Sequence, residues 1–339
     1  MQQKREPISP IYGLRFILAL GVVLYHMGMT DATVMKMMMA AFFVMSGFFM
    51  EMHHGCSQLS LRQWGRIEMG VVSKIYPLQW LCLLVWVAFS SLEVTWAIVP
   101  SMLLVQSWIP DPTIYFYANV VSWFVSTLAF SYVLFPLLSW GSRKVGFRLR
   151  WAVMLALVGL MAYLNVAVEE HYYRHIFPPA RVVDFLLGVL LCQLVPQLKD
   201  SSVVRRLVCS AAPVLEVIIV VVSVAACVWL DHHCAVMVAW IIISAMLLLA
   251  TLEQYHGVKG LVFRLLSLRW LVRLGQVSFE IYMIHMIVFL MMNRVLPLPS
   301  GSPLCLCLKF VALFAVAFAT HYCFVKPVGR FLVSRLCKE

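Results

Sequence analysis

The sequence predicts an all-α, polytopic membrane helix bundle: about ten transmembrane helices, one re-entrant segment and both termini cytoplasmic. Three observations predict it. Of 339 residues, 63% are hydrophobic and 12% are charged, where a soluble domain runs about 45–50% apolar and about 25% charged. Mean hydropathy is +0.91, which excludes a soluble enzyme, a disordered chain and a nucleic-acid reader. Apolar runs of the length a bilayer demands, about 20 residues, recur along the whole chain. The formal net charge of +11 then reads as cations of cytoplasmic loops, with no nucleic-acid partner implied.

The runs fall at 10–28, 34–53, 71–91, 117–140, 151–168, 180–198, 212–230, 235–252, 277–295 and 304–325. The first follows Lys4 and Arg5 as a signal peptide would, but Arg15 interrupts it and no small-residue cleavage site follows. It is a retained helix. A further stretch, 94–108, is short for a span and ends in the turn-forming Ile109-Pro110-Asp111-Pro112. With ten crossings and a cytoplasmic N-terminus, most Lys and Arg gather on the cytoplasmic side, among them Arg62, Arg66, Lys74, Arg143, Arg150, Lys326 and Lys338. An eleventh crossing at 94–108 would invert every later loop and break the positive-inside rule. That stretch is therefore re-entrant, as irregular backbone at membrane depth must be where protein surrounds it. No solenoid repeat, long linker or appended soluble region interrupts the chain, so residues 1–339 are expected to form one integral-membrane domain.

Ionisable residues inside a bilayer are costly and are functional candidates by default. The first span carries Arg15 and His26. Eleven residues at about 100° each bring them within about 20° of one face, about 16 Å apart along the axis. Tyr12, Ala19 and Val22 share that stripe. Either the pair lines a channel with a proton acceptor at its far end, or Arg15 snorkels and His26 only packs. On the sixth span Arg181 and Asp184 are i,i+3 neighbours that can neutralise each other, as a site or as a structural ion pair. Ser278, Tyr282 and His285 make a polar stripe on the ninth span, whereas Glu280 points elsewhere and pairs with Arg273 or Gln276. Asn119, Ser122, Trp123 and Ser126 share a face of the fourth span, where small hydroxyls also serve close packing. No metal is expected. His53-His54 and His171-x-x-x-His175 lack a third ligand, and the ten cysteines contain no Cys-x-x-Cys.

These segments together resemble the integral-membrane acyltransferase-3 family. Arg15 with His26 resembles its Arg-then-His block on the first span, and Phe42-Phe-Val-Met-Ser46-Gly47 its second-span signature. Lys74-Ile-Tyr76-Pro77 is similar to its basic-Ile-Tyr-Pro entry to the third span, with Lys where Arg is usual. Leu104-Val-Gln106-Ser107-Trp108, Asn119 and Trp123-x-x-Ser126 resemble the block around its fourth span. Arg181-x-x-Asp184-Phe-x-x-Gly188 resembles its Arg-x-x-Glu-Phe pattern with a shorter acid, and Ser278-Phe-Glu-Ile-Tyr282-x-x-His285 its penultimate-span signature. One departure stands out: many members carry a Glu shortly after Trp-x-x-Ser, and here Leu128-Ala129 stand there, leaving Asp31 as a substitute carboxylate.

The resemblance implies an O-acyltransferase that uses acyl-CoA, with acetyl-CoA as the expected cosubstrate and no permanently bound cofactor. The acceptor it implies is a hydroxyl of an extracytoplasmic polysaccharide or lipid-linked sugar, and the home a bacterial cytoplasmic membrane, with the lipid bilayer as constant partner. It implies His26 as general base, or as the group that carries the acyl, with Arg15 beside it in the catalytic pair. Arg15, Lys74, Arg62 and Tyr76 would then receive the CoA moiety. Trp123, Ser126, Asn119, Arg181, Asp184, Tyr282 and His285 would contact the acceptor or the developing oxyanion. The rival reading is a polytopic transporter or exporter of a small metabolite or glycan precursor, which would also line a path with polar groups but usually in two related halves.

Overall fold

The structure, a computed structural model, describes residues 8–90, 93–295 and 302–336; Lys4, Arg5 and Lys338 lie outside the described residues. In chain order the helices are α1 (Ser9–His26), α2 (Ala32–His54), α3 (Leu61–Phe89), α4 (Ile98–Met102), α5 (Pro112–Tyr115), α6 (Ser122–Arg143) and α7 (Phe147–Ala167). A π turn at Tyr172–Ile176 leads into α8 (Pro178–Lys199), followed by α9 (Ser202–Trp229), α10 (His232–His256), α11 (Leu261–Leu266), α12 (Arg269–Gln276) and α13 (Ser278–Val295). Last come α14 (Pro303–Thr320), a π turn at His321–Val325 and α15 (Lys326–Leu336). Among the described residues there is no strand, and ten helices are long and apolar enough to cross a membrane. These ten coincide with the ten expected runs. The chain is a multi-pass, all-α membrane protein.

Residues 93–121 make no crossing. They contain only α4, a 3-10 turn at Gln106–Trp108 and α5, with Leu104 and Ala118 at positive φ of 56°. Four of the long elements extend beyond the apolar runs that mark them. α3 begins at Leu61, capped by the Ser60 hydroxyl, and α9 begins at Ser202, capped by Ser201. The π turn at Tyr172–Ile176 opens a span ahead of α8, and α15 carries the last span on to Leu336. Hydropathy marks only the part of a helix that lipid covers, whereas capping and backbone bonding carry it on into polar sequence. Arg62, Arg66 and Lys74 consequently stand on a helix, where the sequence suggests a loop for the first two.

The chain divides into two compact units. The first comprises residues up to Ser57, Leu138–Ala167 and Val183–Ser278; the second comprises Gln58–Leu137, Val168–Val182 and Phe279 onward. α6 and α8 run through both. In the first unit α10 packs along α2 and α9, and α1 packs against α2, α11 and α12. α2 and α8 meet backbone to backbone. A Cβ on Gly47 would collide with the carbonyl of Phe185, and one on Gly188 with that of Val44. Between membrane helices, where apolar side chains gain little over lipid, small residues supply this close packing.

Gly47→Ala is therefore expected to destabilise the first unit by at least about 1–3 kcal/mol, the usual cost of overpacking, because the obstacle is main chain. Thermal unfolding in detergent would measure it, with Gly65→Ala as control, since nothing lies within 4 Å of a Cβ there. Equal melting of the two variants would contradict the tight crossing.

Two buried carboxylate clusters tie the same unit together. Glu51, 4% exposed, accepts from Arg143, from the Ser139 hydroxyl at 2.6 Å and from the Gln193 amide at 3.1 Å. Ser139 in turn accepts from the Cys56 N–H at 2.8 Å. Burial pushes the Cys56 thiol pKa up, nearby Glu51 adds to that and Arg143 opposes it. At the other cluster Glu216 accepts from the N–H groups of Val262 (2.8 Å) and Phe263 (3.2 Å), and Glu253 from that of Gly260 (3.1 Å). Two carboxyls from long apolar helices thus satisfy the exposed donors at the start of α11.

In the second unit α15 packs along α3. That unit also holds the broken segment 93–121, which positions the polar groups described next.

Candidate functional site

The first unit carries the Arg–His face. α1 is unbroken from Ser9 to His26, so Arg15 and His26 do share a face about 16 Å apart. That face is the inward one. Ala19 and Val22 on it are 0% and 1% exposed, whereas Ile17 on the opposite side is 40% exposed. The Arg15 guanidinium lies over the Phe49 ring of α2, 5.7 Å from its centroid, a cation–π contact; Tyr12 meets the same ring at 5.9 Å. Nδ1 of His26 lies 3.0 Å from the Val22 carbonyl. A carbonyl can only accept, so Nδ1 carries the proton and Nε2 is the basic nitrogen of the neutral ring. Asp31 sits at the head of α2, where its carboxylate accepts from the Val34 N–H at 3.2 Å as an N-cap.

The second unit gathers most of the other candidates around the broken segment. Backbone that leaves the helix has carbonyls and N–H groups that lipid cannot satisfy, and here side chains take them up. Tyr76, Gln79 and Trp80 of α3 each donate at 3.0 Å, to the carbonyls of Leu103, Ser101 and Met102 respectively. Ser126 donates to Leu104 O (2.8 Å) and accepts from Ser107 N (3.3 Å). Ser107 Oγ donates to the carbonyl of Trp123 (2.8 Å), Gln106 to Ser122 (3.2 Å), and Tyr172 to the carbonyl of Ser107 (3.0 Å). Gln106, Ser107, Ser122 and Ser126 are all 0% exposed. The Gln106-Ser107 and Trp123-x-x-Ser126 blocks are two halves of one hydrogen-bonded weave.

α13 is joined to the same weave. Asn119 donates to the carbonyl of Met283 (2.9 Å) and Tyr282 to that of Val121 (2.8 Å). His285, 0% exposed, holds Nδ1 2.6 Å from Tyr282 O, which makes Nε2 its basic nitrogen. Arg181 and Asp184 stand three residues apart near the start of α8, 8% and 0% exposed. Lys74 and Arg62 are exposed on α3, twelve residues and about 18 Å apart along the axis. Tyr76 is brought to the broken segment.

Glu280 corrects an expectation. Its partner is neither Arg273 nor Gln276: Oε1 lies 2.7 Å from Nδ1 of His321. Glu280 is 3% exposed, and His321 opens the π turn between α14 and α15, a distortion found mostly at functional sites. A partner 41 residues further along the chain leaves no mark in local spacing. Among the described residues, no three His, Cys, Asp or Glu side chains converge as metal ligands would.

A multi-pass membrane bundle with a buried Arg–His helix face and a stapled broken segment belongs to a recognisable class, that of the membrane-embedded acyltransferases. The chain is a member of the acyltransferase-3 family, whose acyltransferase domain matches residues 11–322 and so takes in both units. It is similar to acyltransferase MdmB of Streptomyces mycarofaciens, 27% identical over 326 residues that cover 83% of this chain and 79% of that protein. No solved structure matches it significantly.

Proposed function

We propose that this acyltransferase moves an acetyl group from acetyl-CoA to a hydroxyl of an extracytoplasmic polysaccharide or its lipid-linked precursor, in a bacterial cytoplasmic membrane with both termini inside. The observation that carries the reading is the buried Arg15–His26 face of α1, with Nδ1 of His26 committed to Val22 O. Nε2 of His26 takes the proton of the acceptor hydroxyl as its oxygen attacks the thioester carbonyl. A C–O bond forms, the oxyanion collapses, and the C–S bond breaks. The protonated imidazole returns its proton to the departing thiolate, so one ester and one free thiol leave.

Arg15 and the cations of α3, Arg62 and Lys74, favour the anionic CoA moiety. Arg181 supplies positive charge to the developing oxyanion beside Asp184. Asn119, Ser126 and Tyr282 act as positioning groups, since each donates a proton to a backbone carbonyl. Trp123 and His285 line the acceptor side. Chemistry within the membrane lets CoA stay inside the cell while the acceptor faces outward.

The test is membranes from cells making the protein, incubated with acetyl-CoA labelled in the acetyl group, with glycan and lipid fractions counted. Label is expected in one of these fractions. Export of an unmodified solute without acetyl-CoA would favour the transporter reading instead.

A further inference from the structure

Residues 93–117 enclose a cleft of about 390 Å³ in the second unit, at the low end of the range for small-molecule sites, about 300–1,000 Å³. Its floor is an apolar cluster of Ala97, Ile114 and Tyr117. The Tyr117 hydroxyl donates to Glu93 O (3.0 Å) and accepts from Thr95 N (3.2 Å), so the two arms of the segment are stapled and the floor is preformed. Trp96 lines the cleft with an indole 64% exposed. Glu93 and Asp111 contribute carboxylates, and the lining contains no Lys, Arg or His. Oδ1 of Asp111 is occupied by the N–H (2.8 Å) and hydroxyl (2.7 Å) of Thr113; Oδ2 is the oxygen that remains to meet a ligand.

We propose that this cleft is a sugar-ring subsite that takes uncharged or amine-bearing rings of the acceptor and rejects anionic ones. The proposal rests on the reading of the chain as an acyltransferase acting on a sugar hydroxyl. A pyranose presents an apolar C–H face and a rim of hydroxyls. The indole and phenol rings suit the face, since aromatic side chains combine large apolar area with a wet edge. Ionised carboxylates accept only, and their O–H···O⁻ bonds are roughly twice as strong as neutral ones. The same oxygens can donate nothing to a uronate, sulfate or phosphate, and they repel it. Rejection by an unpaired like charge is the commonest way a site buys specificity.

Saturation-transfer NMR on the detergent-purified protein tests this with methyl β-D-glucopyranoside and methyl β-D-glucopyranosiduronate at millimolar concentration. Ring protons of the glucoside are expected to receive saturation, and those of the glucuronide at least about fivefold less, the equivalent of about 1 kcal/mol. Trp96→Ala should remove most of the glucoside signal, and its exposed position leaves folding intact, which size-exclusion chromatography checks. Glu93→Gln with Asp111→Asn should raise the glucuronide signal toward that of the glucoside.

Three results would overturn the subsite: no transfer to the glucoside, transfer that survives Trp96→Ala, or equal transfer to both sugars. Acetyl transfer from labelled acetyl-CoA is read separately. Label transfer without sugar binding removes the subsite alone, and sugar binding without label transfer removes the catalytic reading alone.

Discussion

His26→Ala is expected to lower acetyl transfer by about 10²–10⁴-fold, the usual contribution of a positioned general base, at unchanged expression and unchanged elution in detergent. The imidazole Nε2 acts on a proton that moves only in the transition state, so kcat should carry the loss. KM for acetyl-CoA should stay within a few-fold. The substitution sits at the last residue of α1 and is half-buried, which limits its cost to the fold. A raised KM with kcat intact would make His26 a binding group. Transfer unchanged in both terms would remove it from the mechanism.

Glu51→Ala is expected to be the most damaging single change to stability among the polar residues, at about 2–4 kcal/mol. The amide of Gln193 and the hydroxyl of Ser139 lose their acceptor inside a dry bundle, at about 1–3 kcal/mol for each orphaned group. Arg143 adds little, because its side chain is 40% exposed and water can take the place of the carboxylate. Glu51→Gln keeps an acceptor for Ser139 and should lose less. Thermal unfolding in detergent ranks the three proteins. A Glu51→Ala melting point equal to that of the parent would mean the cluster contributes nothing to stability.

The ten crossings were legible because lipid imposes one rule, a long apolar run, on each of them. The face shared by Arg15 and His26 was legible for a similar reason, since a helix turns residue spacing into angle. Helix extent was less so: charged residues such as Arg62 and Arg205 look like loop, yet caps at Ser60 and Ser201 start the helices before them. Pairings between distant elements left no local trace at all. Glu51 with Ser139, and Glu280 with His321, lie 88 and 41 residues apart in the chain. The motif residues Gln106, Ser107, Asn119 and Ser126 stood out by pattern. That they hold one another's backbone became visible only when the broken segment was placed against α6 and α13.

The π turn at His321–Val325 has a consequence for insertions and deletions. Such a turn is an α-helix that has absorbed one surplus residue without losing its direction. α15 follows it directly and lies against α3, with Gly329 facing the Ser73 carbonyl. Removing one residue from 321–325 would relax the turn to a regular helix and rotate all that follows by about 100°. Lys326 and Arg330 would swing away from α3 as a block, and Gly329 would no longer meet Ser73. The last helix is thus indexed like a gear tooth, its angular phase set by a single residue of chain length.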